Sequence, residues 1–111
     1  MQRFLAAADR LMSREPYRPH LAGWERTWRF ASPRETEALL RAAGFSRARC
    51  WLSPAYAVPP DPPAYLSSVC CATHLERLPS ELHERFVGDV LSELGEPAEL
   101  DYLRLNIDAR R

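Results

Sequence analysis

The sequence predicts an α+β chain of about four helices and a terminal pair of strands, and three observations carry that prediction. Ser32, Pro33 and Glu35 spell a helix start and Gly44 a helix stop. Residues 46–53 and 99–109 alternate apolar with polar side chains at the period of a strand. Between them, residues 54–98 place their apolar positions at helical spacing, most clearly at Leu82, Phe86, Val87, Val90, Leu91 and Leu94.

The chain begins with an amphipathic stripe, Phe4, Leu5, Ala8, Leu11 and Met12, opposite Arg3, Asp9 and Arg10, which predicts a short helix over 3–12. Pro16 and Pro19 then argue against a regular element over 13–23, and Tyr17, His20 and Leu21 make that segment a packed loop. Trp24, Trp28 and Phe30 form an aromatic lead-in to the capped helix. In that helix, over 33–43, Leu39, Leu40 and Ala43 should face inward, and Glu37 and Arg41 are spaced for an i,i+4 pair.

After Gly44 the first strand should bury Ala48, Cys50 and Leu52, expose Arg47, Arg49 and Trp51, and end at Pro54. The run AYAVPPDPPAY is a stiff connection in which Asp61 caps a helix that buries Tyr65, Leu66, Val69 and Cys70 and stops before Pro79. The helix over 80–94 follows, closed by Gly95 and Pro97. In the last strand Leu103, Leu105 and Ile107 share one side, with Tyr102, Arg104 and Asn106 on the other.

Composition bounds what such a chain does. At 111 residues and 46% apolar there is room for one modest core, and no apolar run approaches the ~20 residues of a membrane helix. Asp9 and Arg10 interrupt the N-terminal apolar stretch, so no signal peptide is expected there. Fifteen arginines balance fifteen carboxylates, and without a net field neither nucleic acid nor an anionic membrane is an expected partner. The absence of lysine excludes a Schiff-base lysine within the chain. Cys50, Cys70 and Cys71 are odd in number and badly spaced for disulfides, so a reducing cytoplasm is the expected location.

The segments WRFASPRETEALLRAAGF (28–45) and DYLRLNIDARR (101–111), in the order helix, Gly-Phe stop, strand, helical insertion, final strand, resemble the C-terminal part of a class I S-adenosylmethionine-dependent methyltransferase, most nearly the trans-aconitate methyltransferase type. The resemblance covers most of the chain. It implies the end of a Rossmann-like α/β sheet whose last strand is antiparallel, and methyl transfer to a small carboxylic acid. Its cofactor would sit on a glycine-rich turn, but Gly23, Gly44, Gly88 and Gly95 are too far apart for G-x-G. No cofactor-binding residue is therefore carried over. The chain is expected to be a single partial domain, a fragment or one half of a split enzyme, inactive alone. Its parts would be 1–31 (helix and aromatic lead-in), 32–53 (capped helix and strand), 54–98 (helical insertion) and 99–111 (final strand). The strand after Gly44 would need a parallel neighbour that the chain does not contain.

A carboxylate methyl acceptor is already ionised and needs mainly to be positioned, for which the planar fork of arginine is suited. Arg29 is the candidate for that contact, against the plainer alternative of a surface arginine stacked on its aromatic neighbours. Trp24, Trp28 and Tyr56 are candidates for lining the acceptor pocket or facing the sulfonium, with core packing as the alternative. Cys71 and His74 make a C-x-x-H without a second ligand pair, and Cys70 should point elsewhere on its helix, so no metal site is expected. No catalytic residue is assigned. From a different class, the chain is read as a small interaction module that dimerises, or complements a separate cofactor-binding chain, through an exposed strand edge.

Overall fold

The computed structural model describes residues 1–26 and 30–111 and has the α+β architecture. Its residues fall into two compact units, a helical unit of Met1–Arg26 and Tyr56–Asp101, and a sheet unit of Thr27–Ala55 and Tyr102–Arg111.

In the helical unit, α1 (Gln2–Met12) buries Phe4, Ala7, Ala8 and Leu11. It packs on α6 (His83–Leu94), which buries Phe86, Val87, Val90 and Leu94 and stops at Gly95. Arg10 and Arg14 both reach Glu93 at 2.9 Å, and the Arg3 guanidinium donates to the Leu94 carbonyl at 3.1 Å, so polar groups fasten the pair outside its apolar seam. A single turn, α2 (Arg18–Leu21), forms where the prolines argued against any element. Pro19 lies in its first turn, where a missing N–H costs nothing. Tyr17 and Leu21 are buried there, while His20 is exposed.

The helix expected from Pro62 to before Pro79 is broken in two. Asp61 caps α4 (Pro62–Tyr65) by accepting from the Ala64 amide at 3.2 Å. A π turn over Leu66–Cys70 follows, and then α5 (Ala72–Arg77). The π turn adds a residue to one turn and shifts the phase of everything after it. Val69, expected inside, is thereby 50% exposed, and Cys71 joins Cys70 in the core. A 3₁₀ turn at Ser80–Leu82 leads into α6.

The sheet unit starts with α3 (Pro33–Ala42). Its capping box is reciprocal: the Glu35 amide donates to Ser32 Oγ at 3.1 Å and the Ser32 amide to Glu35 Oε2 at 3.4 Å. At the other end Gly44 adopts φ +103°, and the Phe45 amide returns to the Leu40 carbonyl at 3.1 Å. Yet α3 buries none of its residues. Leu39 and Ala43, expected inside, are exposed, and Leu40 is half-buried. A two-stranded sheet offers too little face to cover a helical stripe.

Strands β1 (Arg47–Ala57) and β2 (Leu100–Arg110) pair antiparallel, with Ser46 Oγ donating to the Arg110 carbonyl and Asn106 Nδ2 to Ser53 Oγ at 2.8 Å. On the outer side of β1, the Cys50 amide donates to Glu37 Oε1 at 2.8 Å and the Ala48 carbonyl accepts from Arg41 at 3.1 Å. These α3 side chains thus occupy the strand edge at Ala48 and Cys50. Pro54 shares the parity of Ala48 and Cys50, so its missing N–H faces away from β2 and the strand runs through it instead of ending there. Ala48 and Cys50 are buried as the alternation predicts, whereas Leu52 is 47% exposed. The sheet unit holds eight arginines against three carboxylates, so the balanced charge of the whole chain is unevenly shared.

Candidate functional site

The four candidate site residues do not come together as one described site. Trp28 and Arg29 lie outside the described residues. Trp24 belongs to the helical unit, half-buried, with its ring 5.1 Å from that of His74 in an edge-on contact and the Arg77 guanidinium 5.4 Å above it. Tyr56 is 68% exposed, and among the described residues no ring contact joins it to Trp24. Trp24 therefore closes over a core group, while Tyr56 faces outward.

His74 is the centre of the best-organised cluster in the helical unit. It is carried by α5 and fully buried, stacked 5.7 Å from Phe86 of α6 and edge-on to Phe4 of α1 at 5.9 Å. Burial first, and the Arg26 guanidinium second, hold its pKa down to about 4 against the opposing pull of Asp9. Arg26 is itself paired with Asp9 at 2.6 Å. The ring is neutral across the physiological range. Cys71 lies one turn earlier, and burial with the neighbouring Cys70 pushes its thiol up to about 12. A protonated thiol is a poor nucleophile and a poor ligand. Cys70 and Cys71 are both wholly buried, because the π turn brings adjacent positions inside. Among the described residues, no group of three His, Cys, Asp or Glu side chains is placed to hold a metal ion.

Sequence reasoning missed a second feature of the helical unit, a shallow depression of about 310 Å³ lined by Leu11, Arg14, Tyr17, Asp89 and Glu93 among others. Its polar groups serve each other. The Tyr17 hydroxyl donates to Asp89, and burial together with that bond raises its pKa. Arg10 and Arg14 hydrogen-bond Glu93 and hold its carboxyl below the usual range. Groups spent in this way lock helices and leave little for a ligand.

The fold and these clusters define an α+β protein with a packed helical unit and a thinly covered antiparallel sheet unit. The chain matches no protein-family model, no curated protein and no solved structure. No helix among the described residues is long and apolar enough to cross a membrane.

Proposed function

We propose that the chain is the substrate-side C-terminal portion of an S-adenosylmethionine-dependent methyltransferase acting on a small carboxylic acid, with the cofactor held by residues outside this chain. The observation that carries the reading is the order of elements: capped helix, Gly44-Phe45 stop, strand, helical excursion, and a last strand that pairs antiparallel with the first. The arginine excess of the sheet unit suits an anionic acceptor, since a planar guanidinium matches a carboxylate with two hydrogen bonds. Trp28 and Arg29, and separately the exposed Tyr56, remain proposed acceptor-side residues, Trp24 takes the packing alternative against His74, and the cytoplasm is the proposed compartment. Calorimetric titration of the purified chain with S-adenosylmethionine tests the division of labour. No heat of binding is expected; micromolar affinity would overturn it.

A second reading has its own observation. Leu103 and Ile107 of β2 are 60% and 53% exposed, and β2 pairs on one side only among the described residues. An interaction module that associates through this strand, with itself or with a cofactor-binding chain, would cover that surface.

A further inference from the structure

Each strand of a two-stranded sheet has one paired side and one edge that must be accounted for. On β1 the outward backbone groups at Ala48 and Cys50 are engaged by Arg41 and Glu37. Pro54 adds no N–H on that same side of β1, whereas β2 past Asp101, whose carbonyl accepts from the Met1 amine, has no such contact among the described residues and is the more open edge. Its sequence is self-complementary about Asn106: stepping away in both directions, Leu105 matches Ile107, Arg104 matches Asp108, Leu103 matches Ala109 and Tyr102 matches Arg110. Two copies laid antiparallel about a two-fold axis at Asn106 put Arg104 of each opposite Asp108 of the other. The apolar members meet on the opposite face.

Opposite charges directly across an antiparallel pair stabilise it and like charges oppose it. Shifting the axis one residue towards the C-terminus sets Arg104 against Arg110, and shifting it one towards the N-terminus sets Arg104 against Asn106, so the charge pattern selects one register. Arg104 and Asp108 are both exposed, and among the described residues neither makes an ion pair.

We propose that the chain forms a two-fold dimer by pairing β2 with β2 of a second copy, registered at Asn106 and held by reciprocal Arg104 to Asp108 contacts. This rests on the second reading above and names its partner. The same patch serves both copies, as a two-fold contact requires.

Sedimentation velocity of the full chain, from low to hundreds of micromolar, tests it. The unmodified chain should dimerise. Arg104→Asp and Asp108→Arg, each setting like charges across the axis twice, should weaken the dimer roughly tenfold or more, and the double variant should regain affinity to within about threefold. A chain that stays monomeric throughout overturns self-association altogether. A dimer indifferent to the single reversals, or not rescued by the double one, overturns this register and leaves self-association standing. If a reversal unfolds the chain, amide exchange of the unmodified protein decides: β2 protection rising with concentration supports the pairing, and concentration-independent protection overturns it.

Discussion

Burial of His74 turns one residue into a pH-dependent element of stability. In the unfolded chain it takes a proton near its ordinary value of 6.5, whereas in the folded chain it does so only near 4. Between those values the unfolded state holds a proton that the folded state refuses, so stability is fully present above about 6.5 and drains away as pH falls towards 4. Going from pH 7 to pH 5, where most carboxylates stay ionised, the loss should be about 2 kcal/mol. Urea unfolding at the two pH values measures it, and His74→Phe should flatten the difference; an unchanged slope would place the cause elsewhere. Little of this was legible beforehand. C-x-x-H shows a histidine one turn from a cysteine, but the rings around it come from Phe4, Trp24 and Phe86, far apart in sequence.

At the scale of elements, what is local was readable and what depends on cover was not. Both ends of α3 follow from side chains within a few residues of each other, and the capping box forms as its spacing implies. Because α3 buries none of its own residues, packing contributes little to it and the cap matters correspondingly more. Ser32→Ala should cost about 1 kcal/mol and lower the helical circular dichroism, with a loss below a few tenths showing that the cap is idle. The side α3 turns to solvent could not be read, since an amphipathic stripe implies a covering surface without supplying one. The π turn at Leu66–Cys70 was hidden for a related reason: helical periodicity assumes a constant phase, and one extra residue breaks it. Pro54 misled because a proline's effect on a strand depends on which edge it faces, and that becomes known only once β2 is paired.

For the molecule as a whole, burial is as unevenly divided as charge. Phe4, Tyr17, Leu66, His74, Phe86 and Val90 are all fully covered within the helical unit, while the buried residues described in the sheet unit are Ala48 and Cys50. Apolar cover is the main source of protection against opening, so in dilute solution α6 amides should exchange far more slowly than those of α3, by about tenfold or more. Equal protection would mean that the sheet unit draws stability from some other source. The α+β class was legible because both periodicities are strong. One small feature bears on what the sheet can become. Glu37 and Arg41 engage the backbone of β1 at Cys50 and Ala48, and Pro54 offers no N–H on that side, so an added strand meets more obstruction at β1 than at β2. A sheet hindered on one side and open on the other is biased towards closing as a finite pair over adding strand after strand.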